Sequence, residues 1–177
     1  MKSDMMFHLA NILYRGANAS ATDRAITATQ VGEYFDPDSG NDDYNYYSQY
    51  EDVAMLFEEA MMKLHFDLDR DVGFVHSTNS QFCNDYIVGW GMRNRIGLER
   101  VKERAQWVVA QLLPHRDYSE FFGSIPEPRY LPVNVGWCST ETFVGISTEK
   151  AFFQSSDDMR LINQRNLLPA GFLPNAP

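Results

Sequence analysis

The stretch Ser48–Phe66, SQYEDVAMLFEEAMMKLHF, decides the fold class. Ser48 followed three residues later by Glu51 has the form of a capping box. The hydroxyl takes one orphan N–H of the first turn and the carboxylate reaches back to another. Val53, Phe57, Ala60, Met61 and Leu64 then recur at helical spacing, and Met55, Met62 and Phe66 widen the stripe. The pattern predicts a central, largely buried helix ending near Phe66.

Towards the N-terminus, Ser3 and Gly16 bracket a second helical segment from about Asp4 to Tyr14. The opening MKSDMMFHLANILYRGANASA has a signal-like outline, but Asp4, His8 and Asn11 interrupt it, so it reads as a folded helix. Residues 17–49 carry no helical period. They hold a β-like run, Gln30–Phe35, and read as a long structured loop. Towards the C-terminus, Leu98, Val101, Ala105, Val108, Val109 and Leu112 make one helical face over about Leu98–Leu113, stopped by Pro114. Strands are expected at Val72–His76, Asp85–Trp90, Leu131–Trp137 and Thr142–Ile146. This order lacks regular βα alternation. The expected class is α+β, about three helices packed on a small mixed or antiparallel sheet, with long loops. The organisation expected is one globular domain over 1–165 and an extended strap or linker, NLLPAGFLPNAP, over 166–177.

The chain has 177 residues, 44% of them hydrophobic, enough for a packed core. Its net charge of −9 argues against a nucleic-acid partner and an anionic membrane surface. No stretch is apolar for long enough to suggest a membrane span. Cys83 and Cys138 belong to no CxxC or Cys/His cluster, so a structural zinc site is not expected. Two readings of the pair stand: buried thiols in a reducing compartment, or a disulfide in an oxidising one.

Two acidic runs invite a calcium reading. In Asp67-Leu68-Asp69-Arg70-Asp71-Val72-Gly73 the carboxylates of Asp67, Asp69 and Asp71 alternate, and hard cations take clustered oxygens. The run is similar to an EF-hand loop but departs from it. Glycine comes one position late, and Thr78 stands where the bidentate Glu belongs. The plainer alternative is a solvated turn with Arg70 pairing locally. Asp36, Asp38 and Asp42, in DPDSGNDD, form a second candidate, although these residue types also make ordinary turns.

For catalysis, Glu58, Glu59 and His65 sit together on the central helix. Glu58 and His65 lie roughly 10 Å apart along the axis, too far to share a zinc ion, and no HExxH occurs. Cys138, with His76 or His115 brought near in space, is a fainter candidate. The tyrosines Tyr44, Tyr46, Tyr47 and Tyr50 either present a contact surface or pin their loop to the core; pinning is the expectation. The basic run GMRNRIGLERVKER reads as the wet face of a helix, or as a grip for something acidic. Asn18-Ala19-Ser20 matches the N-glycosylation sequon.

The first functional expectation is a non-catalytic extracytoplasmic binding or interaction domain, periplasmic or secreted, with calcium at Asp67, Asp69 and Asp71 as its one cofactor and a protein or carbohydrate as partner. The alternatives are a cytoplasmic home, a hydrolase whose site is assembled from residues distant in sequence with Glu58, Glu59 or His65 in a cleft, and a structural subunit whose C-terminal strap reaches a neighbour.

Overall fold

The computed structural model describes residues 1–76 and 80–143. In chain order these form α1 (Asp4–Arg15), α2 (Ala21–Arg24), α3 (Ala28–Phe35), α4 (Gln49–Phe66), β1 (Asp71–Val75), β2 (Val88–Arg93), α5 (Glu99–Leu112), α6 (Ser119–Ser124) and β3 (Arg129–Tyr130). Short tight (3₁₀) helices cover Asp43–Tyr46, Cys83–Asp85, Arg95–Gly97 and Trp137–Phe143. The three strands make one antiparallel sheet with β2 in the middle. Val72 faces Met92, Gly73 faces Gly91 and Phe74 faces Trp90, and the register slips once between Phe74 and Val75. The class is α+β, as the element order implies.

The long helices form where their local signals place them, but α4 is not largely buried: Leu56, Glu59 and Ala60 are enclosed, while Val53, Met62 and Phe66 of the expected stripe are exposed. Ser3 accepts the Met6 N–H, and Gly16 closes α1 in the left-handed region at φ 70°. Ser48 accepts the Glu51 N–H at the head of α4, but the return bond from Glu51 is not made, so only half of the expected box forms. Asp67 ends α4 with φ 51°.

Four further expectations need correction. Gln30–Phe35 is helical, not extended: Thr27 and Gln30 form a full capping box at the start of α3. Residues 17–49 are therefore less irregular than they read, and Ser20 of the sequon caps α2 through a box with Asp23. The strand expected over Asp85–Trp90 begins at Val88 and runs on to Arg93. The segment 131–137 follows β2 through bonds such as Leu131 N–H to Gly91 O and Trp137 N–H to Tyr86 O. Pro132 and the positive φ of Asn134 keep it from forming a regular ladder. Residues 144–146 of the fourth expected strand, and the strap at 166–177, lie outside the described residues.

Apolar burial falls into two clusters. One joins Leu56 and Ala60 of α4 to Val101, Ala105, Val108 and Val109 of α5, closed by Phe122 and Ile125. The other joins Met6 and Ala10 of α1, Phe35 of α3, Tyr46, Val72 of β1, and Trp90 and Met92 of β2. Leu98 packs against both. Gly32 of α3 is in such close contact with Trp90 that a Cβ there would overlap the indole, at 2.2 Å. A disulfide joins Cys83 to Cys138, with Cα atoms 5.6 Å apart, and so ties the turn before β2 to the segment after β3. Among the described residues no helix is long and apolar enough to cross a membrane.

Candidate functional site

The turn between α3 and α4 is held by a lattice of polar side chains. Arg95 lies at its base and is 1% exposed. Its guanidinium donates to the carbonyls of Gly40 (2.7 Å), Phe35 (2.9 Å), Asp38 (2.9 Å) and Asp36 (3.1 Å). It also stacks on Phe35, with 4.1 Å from its central carbon to the ring centre. Burial, and then the charge of Arg100, pull its pKa down to about 10, so it is still cationic at neutral pH. Arg100 donates to the Asp38 and Asp36 carbonyls, and Arg104 to that of Ser39. The basic run is thus not simply a wet helix face. It grips the chain's own acidic turn.

Above this base runs a chain of buried amides. Asn41 donates to Glu59 at 2.7 Å and to the Met55 carbonyl. Asn45 donates to Asn41 at 2.7 Å and to Asp52 at 2.8 Å. The other Asp52 oxygen pairs with Arg104. Asn41 and Asn45 are fully buried, so their partners fix both amide orientations. The network therefore ends at the surface in an Asp52–Arg104 ion pair whose geometry is set from within.

Glu59 is enclosed, and burial raises its pKa against the opposing effects of Arg70, Asn41 and the Ile96 N–H. One of its oxygens accepts from Asn41 and the other from Ile96. Glu58 and His65 are exposed on the same helix, and neither lines a described cleft with Glu59. On α4, then, Glu59 faces the interior while Glu58 and His65 face outward.

The acidic runs are also distributed. Lys63 holds Asp67 at 2.6 Å and Asp69 at 2.8 Å, while Asp71 takes a two-point bond from Arg93. Arg70 reaches Asp42, 28 residues away, rather than pairing locally. Asp38 accepts the Lys2, Ser3 and Ser39 N–H groups and the Tyr46 hydroxyl, and Asp36 accepts from Tyr130. Among the described residues no three His, Cys, Asp or Glu side chains are grouped as metal ligands would be.

Three of the four tyrosines pin the loop. Tyr44 and Tyr47 stack at 5.3 Å, Tyr14 packs edge-on to both, and Tyr46 is in the core. Tyr50 alone of the four is fully outward, 77% exposed.

One surface was not foreseen. A shallow groove of about 260 Å³ runs between α4 and α5. Val53, Leu56, Trp107 and Val108 form its apolar wall, and Asp52, Glu103 and Arg104 its polar lip. Trp107 is 63% exposed there, far from the usual fate of an indole. A second cleft, about 490 Å³, lies between Lys63, Leu64 and Asp67 of the α4 end and Phe121, Ile125 and Pro126. Its one cationic side chain is already neutralised by Asp67 and Asp69. No family model, curated protein or solved structure matches this chain.

Proposed function

We propose that this chain is a non-catalytic, extracytoplasmic binding domain that takes its ligand in the α4–α5 groove. One observation carries the reading: an exposed indole stands beside an ion pair, Asp52–Arg104, that a buried hydrogen-bond network holds in place. Building such a network costs desolvation and side-chain entropy. A rigid polar lip beside an exposed aromatic is what a recognition surface needs. The disulfide supports an oxidising compartment. Glu59, with both oxygens occupied inside the protein, fits a structural role better than that of a general acid.

Calcium has no place in this reading, because the Lys63 ammonium already stands between Asp67 and Asp69. Thermal melts in calcium and in chelator are expected to coincide. A calcium-dependent rise in Tm that Asp69→Ala removes would restore the metal. The test of the function itself sets hydrolysis against binding on the full chain. Ester, glycoside and peptide substrates should show no turnover, and glycan and peptide arrays should show binding that Trp107→Ala removes. Turnover lost in Glu59→Gln would overturn the proposal in favour of a hydrolase.

A further inference from the structure

The lip of the α4–α5 groove offers donors and acceptors side by side. Asp52 and Glu103 accept, and Arg104 donates. Arg104 spends one terminal nitrogen on the Ser39 carbonyl and the other on Asp52, so it retains unused N–H groups. An anionic ligand would need donors only and would meet two carboxylates. A cationic ligand would need acceptors only and would meet the guanidinium. Each hydroxyl of a sugar both donates and accepts, so a neutral polyol suits a mixed wall.

The apolar side points the same way. Trp107, 63% exposed, lines the groove together with Val53 and Val108. A pyranose ring has an apolar C–H face and a rim of hydroxyls, which matches an indole bordered by an ion pair. The volume, about 260 Å³, lies just under the ordinary range for drug-sized ligands, roughly 300–1,000 Å³. It accommodates one or two rings. A docked amphipathic helix needs anchors over two turns, whereas the apolar lining here comes from Val53, Leu56, Trp107 and Val108 beside three charged side chains.

We infer that the α4–α5 groove binds a neutral saccharide, with one pyranose stacked on Trp107 and its hydroxyls bonded to Asp52 and Arg104. This rests on the binding-domain reading above and names its ligand class. A single exposed subsite of this size gives weak binding, with a Kd of about 1 mM. Specificity lies in the Asp52–Arg104 geometry, which Asn45 and Asn41 set from behind.

The test is calorimetric titration of the full chain with neutral gluco-, xylo- and chito-oligosaccharides, and separately with a cationic amphipathic peptide. Saccharide binding that falls at least about tenfold in Trp107→Ala, and far less in Trp107→Phe, is the expected result. Asn45→Ala should weaken it without touching the ligand, and circular dichroism melts of each variant separate lost binding from lost folding. Peptide binding that depends on Trp107, with no saccharide binding, would overturn this inference and leave the binding-domain reading intact. Binding of neither probe would overturn both.

Discussion

At the scale of single residues, Arg95 is a buried cation that holds the α3–α4 turn together. Its guanidinium serves four carbonyls around the α3–α4 turn, and no other residue type has enough donors in that plane. Arg95→Met should cost about 3–5 kcal/mol in urea unfolding, because buried carbonyls lose their donors. Arg95→Lys should recover only a small part of that loss. Asp43 makes the opposite kind of contribution. Burial, and then its neighbour Asp42, raise its carboxyl to about 6, although the Tyr14 hydroxyl donates to it at 2.5 Å. An unfolded Asp titrates near ~3.9, so the folded state binds this proton more tightly. Stability from this group is complete below about pH 4 and is lost as pH rises through about 6. Glu59 shifts in the same direction. Asp38 is shifted down by the hydrogen bonds it accepts, against its own burial, so its contribution fades as pH falls through its folded value. The raised carboxyls of Asp43 and Glu59 thus make stability fall as pH rises from mildly acidic values towards neutrality. Asp43→Asn should raise stability at pH 7 by about 1–3 kcal/mol and flatten the slope between pH 5 and 7. Chemical denaturation at several pH values checks it. These residues were barely legible in the sequence. Arg95 sat in a basic run that read as solvent-facing, and nothing local marks it as buried. Trp107 carried a fainter signal: an indole on the polar side of an amphipathic helix, near Glu103 and Arg104.

Among the elements, legibility followed length. α1, α4 and α5 have twelve, eighteen and fourteen residues, enough for the helical period to show, and Ser3 and Ser48 cap the first two. α2 and α3, with four and eight, do not show a period. Yet Ser20 to Asp23 and Thr27 to Gln30 carry the same three-residue offset that announces α4. In α3 the β-favouring Val31, Tyr34 and Phe35 masked that signal. Its capping box and its packing on β2 outweigh the propensity. Thr27→Ala should therefore destabilise by about 1 kcal/mol. Gly32→Ala should cost more, since its Cβ would overlap Trp90. Thermal melts of the two variants check the order. The bounds of β2 were misplaced because Gly89 and Gly91 weaken the strand pattern. Both admit close neighbours: a Cβ would lie 2.7 Å from Ala28 at Gly89 and 2.9 Å from Leu131 at Gly91.

At the scale of the whole molecule, the described residues combine a small sheet, two apolar clusters and a covalent tie. The disulfide spans 55 residues and encloses β2, α5, α6 and β3. In the chain-entropy picture such a loop stabilises by about 4 kcal/mol. Cys83→Ser combined with Cys138→Ser should lower the unfolding free energy by that order, and reductant should shift the wild-type melt alike. The sequence left the thiol and disulfide readings level, since two distant cysteines say nothing of their separation in space. It also left the groove unseen, because α4 and α5 meet through tertiary packing that no local pattern encodes. Amide chemical-shift mapping of the full chain during titration with a neutral oligosaccharide tests the central claim most directly. A ligand seated between α4 and α5 shifts residues 52–56 and 103–108 and leaves the Lys63–Pro126 cleft and the surroundings of His65 unchanged. Shifts confined to that cleft or to the α4 C-terminus, with the Trp107 region silent, would contradict it.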